Sequence, residues 1–431
     1  MILGLGSNLG DRSVFLKRAI AELEQFLKNM RVSKTYESAA WLTSESPRSW
    51  NRPYLNLAVS GETTLLPREL LHELKAIEHK LGRSAKARWA PREIDIDILA
   101  WDEQVINEQD LTVPHPSLLQ RPFALRPLAD LAPGWRYPVT GTCQGQSAAR
   151  LATGFLLSLA HDPTLVGIIN ITPDSFSDGG QLSSPEVLTT RIHELIADGA
   201  GVLDLGAEST RPGATPLSAE VEWSRLHPAL EILKDTVRTL ANPPKISIDT
   251  RHAAVATKAL EAGVDWINDV SGFSDPRMCE VVAGASCDLV MMHSLTVPTD
   301  RGVVLPINEN CVETLLAWAF DRLEKLEYFG IDRERIIFDP GVGFGKTAAQ
   351  SIEIICDLDR FKELETRTLI GHSRKSFLTR FTNKPSQDRD FETVIASLEI
   401  ARHGVDYLRV HDVKSHTRAF SISRTLCREP L

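Results

Sequence analysis

Two aspartates, two positions apart, have a type and spacing that suggest chemistry. Within the stretch WAPREIDIDIL, Ile94, Ile96 and Ile98 lie on one face of a predicted strand. Asp95 and Asp97 lie on the other face, because side chains alternate across a strand. Neighbouring carboxylates repel each other unless a cation lies near both, and Mg²⁺ is commonly held by one or two carboxylates together with substrate phosphates. The pattern is compatible with a magnesium site, or with a half-exposed edge strand whose aspartates are solvated.

The segment that leads into this strand is basic. Arg83, Lys86, Arg88 and Arg92 lie close together, with Trp89 among them. Guanidinium groups match the geometry of phosphate oxygens, and carboxylates match Mg²⁺. Together they predict a polyphosphate site, with metal on the acids and arginines on the phosphate oxygens. A solvated basic surface loop is the alternative.

Length and composition favour two globular domains. The chain has 431 residues, of which 42% are hydrophobic and 24% charged, and it is too long for one ordinary small domain. A net charge of −9 argues against nucleic acid or an anionic membrane as a main partner. The sequence has neither a membrane-spanning apolar run nor a basic leader, and its six cysteines are scattered without a CxxC motif. We therefore expect a cytoplasmic protein with reduced thiols.

The first part of the chain, residues 1–140, has the pattern of a split βαβ or ferredoxin-like α+β domain. Its glycine motif GLGSNLG has the spacing GxGxxxG rather than the GxGxxG of a dinucleotide-binding turn, so a tight turn is favoured. Apolar periodicity gives the order strand, helix, strand, strand, helix, strand. The predicted elements are a strand over 2–8, a helix whose apolar positions run from Leu16 to Met30, strands over 31–37 and 54–64, a helix from Pro67 to Leu81, and the strand with the aspartates.

After a predicted linker, residues 141–162, short apolar runs alternate with helical patterns. Continuous apolar strands with helical crossovers indicate a parallel sheet, and eight such units in about 250 residues predict an α/β (β/α)8 TIM barrel. Reactive residues of that fold lie at the carboxyl ends of the strands. The motif GVGFGKT is not a P-loop, because position 340 is proline where the first glycine belongs. The predicted strand ends carry Asn170, Glu208, Asp249, Asn268, His293, Asp339, Ser373 and His411.

The motifs GSNLG, YLNLAV, WAPREIDIDIL and LTVPHPSLLQRPFAL together resemble the 6-hydroxymethyl-7,8-dihydropterin pyrophosphokinase family over nearly all of the first domain. The resemblance implies that ATP gives its terminal diphosphate to the pterin hydroxymethyl group and releases AMP. It implies two Mg²⁺ ions on Asp95 and Asp97, which count as catalytic together with Arg83 and Arg92. Ala39 and Ala40 replace the usual Pro-Pro turn and a longer insert follows, so contacts from residues 38–53 stay open. The implied ATP site comprises Glu78, Arg83, Trp89, Arg92, Ile98, His115 and Arg121, and the implied pterin site comprises Tyr54, Asn56 and Phe123.

The motifs NITPDSFSDGG, AESTRPGA, SIDT, INDVSG, FDPGVGFGK, GHSRKSF and LRVHDV resemble dihydropteroate synthase over residues 163–431. The resemblance implies condensation of the pterin diphosphate with p-aminobenzoate, with release of diphosphate. Cations at the barrel mouth would help the anionic leaving group depart, and carboxylates would stabilise the positive charge left on the pterin methylene. Lys375, Arg409 and His411 are the implied catalytic residues, and Asn170 is the implied ligand of one Mg²⁺. The other implied contacts are Asn170, Thr210, Arg409 and His411 for diphosphate, Asp249, Asn268, Asp339 and Lys375 for pterin, and Arg211, Pro212, Phe344 and Ser376 for p-aminobenzoate.

Two segments rich in glycine, proline and serine, residues 171–180 and 208–215, predict mobile loops that close over the synthase site. The segment 294–306 departs from the family pattern, so its contacts stay open. Family analogy also implies a homodimer through the barrel and inhibition by sulfonamides, which mimic p-aminobenzoate.

The sequence therefore predicts a bifunctional enzyme whose first product is the substrate of its second domain. Two other classes of protein remain as alternatives. A pterin-dependent methyltransferase barrel would have a similar pterin pocket, but it gives Arg409 and His411 no diphosphate to bind. A ferredoxin-like ligand sensor fused to a barrel would not need the two aspartates beside Arg83 and Arg92.

Overall fold

The computed structural model forms two compact units. The first comprises Met1–Asp162 together with the segments Asp359–Glu365 and Ala401–Gly404, and the second comprises the remaining described chain. The division falls at the end of the segment that the sequence predicts as a linker. The residues that the structure describes are 1–40, 47, 50–83, 90–153, 158–159, 162–171 and 184–428.

The first unit is an α+β unit in which short strands and helices alternate. In chain order its elements are β1 (Ile2–Ser7), α1 (Arg12–Leu23), β2 (Lys28–Val32), β3 (Tyr36–Ser38), β4 (Tyr54–Glu62), α2 (Pro67–Lys80), β5 (Asp95–Ala100), β6 (Ile106–Asn107), β7 (Thr112–Val113), α3 (Pro122–Leu131), α4 (Ala148–Ala152) and β8 (Ser158–Leu159).

Strand β1 lies inside an antiparallel sheet, between β4 and β5. Strand β4 also pairs with β2 and β3, and β3 pairs with β8. The order β5-β1-β4 followed by β2 and β3 is the ferredoxin-like arrangement, with its second strand divided in two. The predicted fold class of this domain is confirmed.

The two faces of this sheet follow from the alternation of residues in β1. Leu3 and Leu5 pack in a core with side chains of α1 and α2, including Leu16 and Leu74. The opposite face packs against α3 and α4. Gly4 and Gly6 belong to that opposite face, where a β-carbon on Gly4 would lie 3.0 Å from Leu99. Because these two positions carry no side chain, neighbouring side chains such as Leu99 and Asn56 can approach the strand closely.

Helix α1 is shorter than its apolar pattern predicts. It ends at Leu23, whereas the apolar positions continue at a helical period to Met30. Residues 28–32 instead pair with β4, where Arg31 lies opposite Ser60. Leu27 and Met30 still reach the same core from this extended segment. Strand pairing with β4 therefore prevails over helical periodicity.

The predicted linker, residues 141–162, contains regular structure. Helix α4 buries Ala148 and Ala152 against the core that contains Leu125 of α3. Ser147 caps this short helix by accepting a hydrogen bond from the backbone N–H of Arg150. Residues 148–152 of the predicted linker are thus helical and pack within the first unit.

The second unit is a barrel of parallel strands with intervening helices. Its strands are β9 (Thr164–Asn170), β10 (Val202–Gly206), β11 (Lys245–Asp249), β12 (Trp266–Asp269), β13 (Asp288–Met292), β14 (Ile336–Asp339), β15 (Arg367–Ile370) and β16 (Tyr407–Val410), and its helices are α5 (Pro185–Ala197), α6 (Ala219–Val237), α7 (Ala253–Glu261), α8 (Pro276–Ala283), α9 (Cys311–Tyr328), α10 (Ala348–Cys356), α11 (Asp390–Arg402) and α12 (Val413–Arg428).

The barrel closes by pairing β16 with β9, in parallel like the other neighbouring pairs. Its interior contains an apolar layer to which six strands contribute Val166, Val202, Trp266, Val290, Ile337 and Leu369. The ring of Trp266 also meets Tyr407 edge to face, with 4.8 Å between the centroids. This layer fills the lower barrel, and the polar strand ends lie at the opposite, carboxyl end. The predicted TIM barrel is confirmed.

Several barrel helices begin at side chains that cap them. Ser218 accepts a hydrogen bond from the backbone N–H of Val221 at 3.4 Å, and Asn310 accepts from Val312 at 2.9 Å. Such caps satisfy N–H groups that the first turn of a helix leaves without intrahelical partners.

Two further features of the chain concern membrane spans and cysteines. Among the residues it describes, no helix combines the length and apolar character needed to cross a bilayer. Cys143, Cys279, Cys287, Cys311 and Cys356 are free thiols rather than members of disulfides.

Candidate active sites

A cleft of about 280 Å³ lies above β1, on the face that carries its glycines. Strand pairing places Gly6 opposite both Asp95 and Asn56, and Gly4 opposite Asp97. The glycines form the floor of the cleft, because their missing side chains let residues of the neighbouring strands approach one another. The residues lining the cleft include the ionisable residues Lys75, Arg83, Arg92, Asp95, Asp97, His115 and Arg121, and also Ser38, Ala39, Ala40, Tyr54, Asn56 and Phe123.

Asp95 is held by two of the predicted arginines. Arg83 Nη1 donates to its Oδ1 at 2.6 Å, and Arg92 Nη1 donates to its Oδ2 at 3.1 Å. Burial alone would raise the pKa of this carboxyl, but the charges of Arg92 and Arg83 outweigh burial and lower it. Asp95 is therefore ionised at neutral pH.

Asp97 has a different environment on the same strand face. Its Oδ2 lies 3.8 Å from His115 Nε2 and 3.7 Å from Arg121 Nη1. Burial and the neighbouring charge of Asp95 raise the pKa of Asp97. About a third of the side chain stays exposed, 34%, so this carboxylate is accessible to a ligand in the cleft.

Glu78 lies under the cleft rather than in it. Its Oε1 accepts hydrogen bonds from Lys75 Nζ at 2.8 Å and from the backbone N–H of Ile96 at 2.6 Å, and Arg83 pairs with its other oxygen. Burial raises the pKa of Glu78 despite the charge of Lys75. The carboxyl group thus ties α2 to β5 and positions Arg83 beneath Asp95.

The cleft also contains aromatic and amide groups. Tyr54 is half-buried, and Asn56 donates through Nδ2 to Ser38 Oγ at 3.0 Å. The guanidinium carbon of Arg121 lies 5.9 Å from the centroid of the Phe123 ring. Two rings and an amide in one cleft can bind the faces and the edge of a flat heterocycle.

At the mouth of the barrel, Arg409 lies between two carboxylates. Its Nε donates to Asp204 Oδ2 at 2.6 Å, and its Nη2 donates to Asp249 Oδ2 at 2.9 Å. Asn268 Nδ2 donates to the same Asp204 oxygen at 3.3 Å. Burial raises the pKa of Asp249 to about 7, although the charge of Arg409 opposes this shift. Three of the predicted ligand-binding residues thus share one network.

Asp339 and Lys375 form a second group at the mouth. Asp339 Oδ1 accepts from the backbone N–H of Gly341 at 2.8 Å, and Lys375 Nζ donates to the carbonyl of Val342 at 2.5 Å. The Lys375 ammonium lies 4.2 Å from the ring centroid of Phe344. Burial raises the pKa of Asp339 and lowers that of Lys375 to about 7. The structure therefore brings together a predicted pterin contact, a predicted catalytic residue and a predicted p-aminobenzoate contact.

His411 is oriented by the neighbouring strand end. Its Nδ1 lies 2.9 Å from Ser373 Oγ, and Arg191 donates to its carbonyl oxygen at 2.7 Å. Burial lowers the pKa of His411, and the charges of Arg374 and Arg409 add to the effect. A neutral imidazole among arginines can hydrogen-bond an anion that those arginines attract.

The remaining predicted residues of the barrel occupy its rim. The Asn170 and Asp249 side chains both flank Gly206, on which a β-carbon would lie 3.7 Å from Asn170 Oδ1. The carbonyl of Thr210 accepts from Thr299 Oγ1 at 2.6 Å. Arg211, Pro212 and Ser376 are exposed.

Comparison with known proteins agrees with this two-site arrangement. A model of the 7,8-dihydro-6-hydroxymethylpterin-pyrophosphokinase family matches residues 2–133, and a model of the pterin binding enzyme family matches residues 166–411. The Folate synthesis bifunctional protein of Chlamydia trachomatis serovar D is 38% identical over 434 residues, covering 97% of this chain and 96% of the relative.

The chain belongs to the family of folate synthesis bifunctional proteins.

Solved structures agree for the second domain. The dihydropteroate synthase of Anaplasma phagocytophilum with bound 6-hydroxymethylpterin-monophosphate matches with a TM-score of 0.56 and 34% identity, over 62% of this chain and 100% of that chain. The Xanthomonas albilineans synthase with 4-aminobenzoic acid matches with a TM-score of 0.56 and 34% identity, over 64% of this chain and 98% of that chain. This bifunctional folate synthesis protein therefore joins a pyrophosphokinase domain to a dihydropteroate synthase domain, as predicted.

Sequence reasoning missed several residues of the bifunctional protein's two sites. Lys75 lines the first cleft, and its position three residues before Glu78 on α2 was the available signal. Asp204 was detectable as the acid inside the apolar run VLDLG. Ser373 was noted only as a strand end, and its contact with His411 joins two strands that lie far apart in the sequence.

Three predicted positions do not contribute a described side chain to the first cleft. The side chain of Ile98 lies in the core beneath the sheet, 4% exposed, so the sheet separates it from the cleft. Glu78 lies below the cleft, as described above. Trp89 falls outside the described residues, as does nearly all of the predicted loop 171–180 and much of the insert within 38–53.

The donor set for metal in the bifunctional protein is small. Within the described ranges, His, Cys, Asp and Glu side chains form no group of three or more that could hold an ion. Asp95 and Asp97 offer carboxylate oxygens in one cleft, and Asn170 offers an amide oxygen. These hard donors suit Mg²⁺ when substrate phosphates supply the other ligands.

Proposed function

We propose that Asp95 and Asp97 hold two Mg²⁺ ions on the triphosphate of ATP, and that Arg83 and Arg92 bind its phosphate oxygens. The single observation that carries this proposal is the grouping of both acids with both arginines in one cleft. Bound Mg²⁺ would neutralise phosphate charge as the diphosphate is transferred. His115 and Arg121 lie beside Asp97 and would complete the nucleotide site, together with Trp89. Glu78 would serve this site by holding Arg83, and Ile98 would serve it through its backbone, because its side chain lies in the core.

The pterin ring would lie in the aromatic part of the same cleft. Tyr54 and Phe123 would stack on its faces, and Asn56 would hydrogen-bond its edge. Asn56 Nδ2 already donates to Ser38, which leaves its carbonyl oxygen as the group that accepts from a ring N–H. The hydroxymethyl group would then point toward the phosphates bound by the arginines.

For the synthase domain we propose that the pterin binds to Asp249, Asn268, Asp339 and Lys375. The carboxylates accept hydrogen bonds from ring N–H groups and stabilise positive charge that develops when the diphosphate leaves. Arg409 and His411, with Asn170 and Thr210, bind the departing diphosphate, and Asn170 would be a ligand of one Mg²⁺ ion. Arg211, Pro212, Phe344 and Ser376 would bind p-aminobenzoate, with Phe344 placed by Lys375.

The proposed metal site is tested by the variant Asp97→Asn. It keeps the side-chain size but removes a carboxylate, so Mg²⁺-dependent formation of AMP from ATP and 6-hydroxymethyl-7,8-dihydropterin should fall by on the order of 100-fold or more. The same preparation, given pterin diphosphate and labelled p-aminobenzoate, should form dihydropteroate at the rate of the parent protein.

Asp110→Asn is the matched control, because Asp110 is an exposed aspartate of the same domain that does not line the cleft. It should leave both rates unchanged. Unaltered AMP formation by Asp97→Asn would assign the paired aspartates to solvated surface instead.

The bifunctional protein would act in the cytoplasm as a homodimer formed through the barrel domain. Two exposed apolar pairs support the dimer. Phe391 and Ile395 are 68% and 49% exposed on α11, and Ile422 and Leu426 are 58% and 74% exposed on α12. Residues four apart lie on one helix face, so each pair forms an apolar stripe that a second copy could cover. Sulfonamides would compete with p-aminobenzoate at the synthase site.

A further inference from the structure

Asp204 is a buried acid at the centre of the synthase network, and neither the sequence motifs nor the proposed roles above give it a function. It is the third residue of β10 and is 1% exposed. Its oxygens accept from Arg409 Nε at 2.6 Å, Ser247 Oγ at 2.6 Å and Asn268 Nδ2 at 3.3 Å. A buried carboxylate is costly unless charged and polar partners surround it, and here three donors from three different strands do so.

The contact with Asp204 fixes which way the Asn268 amide points. An ionised carboxylate only accepts hydrogen bonds, so the part of Asn268 that faces it must be the NH2 group. The carbonyl oxygen Oδ1 therefore points away from Asp204. Asn268 is 5% exposed and ends next to Asp249, so its amide group lies in the same network at the barrel mouth. In this orientation Asn268 presents an acceptor to a ligand.

The same acid also fixes the plane of the Arg409 guanidinium. Nε bonds Asp204 and Nη2 bonds Asp249, and neither bond uses Nη1. A planar guanidinium bound at two of its nitrogens cannot rotate about its long axis. Nη1 is therefore held in one direction, available to an anionic ligand.

We propose that Asp204 is a positioning residue of the synthase site. It holds Asn268 with its carbonyl oxygen toward the pterin and holds Arg409 in one orientation toward the diphosphate. The site then selects a ring that offers an N–H donor at this edge and disfavours an analogue with an acceptor there. This inference rests on the proposed pterin and diphosphate roles of Asn268 and Arg409.

A reciprocal exchange of the two side chains tests the orientation. Arg409 Nε and Asn268 Nδ2 donate to the same oxygen of Asp204, so the neutral amide of Asp204→Asn either bonds both without charge through its carbonyl or opposes both with its NH2. In either case Asn268 and Arg409 are held less firmly, and the KM for pterin diphosphate should rise on the order of 10-fold. Asn268→Asp places two carboxylates against each other and should raise the KM more, on the order of 100-fold.

The double variant Asp204→Asn/Asn268→Asp should recover at least about tenfold of the loss caused by Asn268→Asp. The carboxylate introduced on β12 then faces a neutral amide on β10 rather than a second carboxylate, and one of its oxygens can again accept from the pterin. The net charge around Arg409 also returns to that of the parent protein. A residue needed only for packing would give no such recovery.

Further measurements separate the ligand contacts. The inhibition constant of 6-hydroxymethylpterin in the synthase reaction should follow the same order, with binding tightest in the parent and weakest in Asn268→Asp. Ser247→Ala removes the third donor to Asp204 without touching Arg409 or Asn268, and it should change the KM for pterin diphosphate less than about threefold. AMP formation by the first domain should stay constant throughout and reports that the chain is intact.

Different results would overturn the inference about Asp204 and the proposed function of the synthase domain. An Asp204→Asn variant whose KM for pterin diphosphate stays within twofold of the parent overturns the inference, and so does a double variant that is no better than Asn268→Asp. If Asp204→Asn does not accumulate as folded protein, a comparison of Asn268→Asp with the double variant decides in the same way. Failure of the parent protein to make dihydropteroate would refute the proposed function itself, before any variant is compared.

Discussion

At the scale of single residues, neighbours rather than residue type decide what each acid does. Asp95 and Asp97 lie on one strand face, yet their pKa values shift in opposite directions. Burial disfavours the charged form of both, but only Asp95 has two arginines bonded to it strongly enough to reverse the effect. The arginines thus lower the pKa of Asp95, whereas the cations near Asp97 do not offset its burial and the charge of Asp95.

Glu222 gives a pH-dependent prediction at the same scale. Its side chain on α6 is fully buried, and Thr250 Oγ1 donates to it at 3.0 Å. Burial raises its pKa to about 8 from an ordinary value of 4.5. The folded barrel therefore binds this proton more tightly than the unfolded chain does. The resulting stability is present below pH 4.5 and is lost as the pH rises to about 8.

Glu222→Gln should remove this component, because glutamine accepts the same hydrogen bond but does not ionise. Between pH 5 and 8 the free energy of unfolding of the parent should fall, relative to that of the variant, with a slope approaching about 1.4 kcal/mol per pH unit. The thermal midpoint of the barrel transition, followed by calorimetry at several pH values, measures the difference. If the thermal midpoints of the parent and of Glu222→Gln change with pH in parallel, Glu222 does not titrate in this interval.

At the scale of elements, the loop after β14 is set by close backbone contact. Gly341 has φ +66°, and a β-carbon there would lie 1.9 Å from the carbonyl oxygen of His293. Its N–H donates to Asp339, and the loop leads directly to Phe344. Glycine is required because the backbone is left-handed and because the neighbouring strand leaves no room for a side chain.

Gly341→Ala should therefore lower the free energy of unfolding of the barrel by about 2–4 kcal/mol and reduce synthase activity. Chemical denaturation followed by near-UV signals of the barrel measures the first effect, and dihydropteroate formation the second. Gly284→Ala is the control, because a β-carbon at Gly284 meets no atom within 4 Å and its φ is −78°. Equal stability of the two variants would contradict the close contact.

At the scale of the whole molecule, each unit carries its own substrate site. The residues proposed for AMP formation lie in the first unit, and those proposed for condensation lie in the second. The product of the first reaction is a small molecule that can diffuse. A defect in one site should therefore be separable from a defect in the other.

Mixing two variants tests this independence. Asp97→Asn alone and Arg409→Gln alone should each fail to form dihydropteroate from ATP, 6-hydroxymethyl-7,8-dihydropterin and labelled p-aminobenzoate. An equimolar mixture should form it, because pterin diphosphate made by one protein is used by the other. Labelled product measured by chromatography reports the outcome, and the parent protein at half concentration is the reference. A mixture as inactive as its components would refute independent sites.

The sequence by itself determined the fold classes, the alternation that sets Asp95 and Asp97 on one face, and most of the strand-end residues of the barrel. These features depend on local periodicity and on motifs that are contiguous in the chain. The same periodicity gave one wrong prediction, because the apolar positions continue at a helical period through Leu27 and Met30 although α1 ends at Leu23.

Only the tertiary structure decided which side chains meet. The trio of Asp204, Asn268 and Arg409 comes from strands far apart in the sequence, and Ser373 reaches His411 across two strand ends. Ile98 was assigned to the ATP site, but the pleat turns its side chain into the core. Burial, ion pairing and the direction of an amide group depend on atoms from distant parts of the chain. No local sequence pattern specifies which of those atoms come together, so only the folded structure shows them.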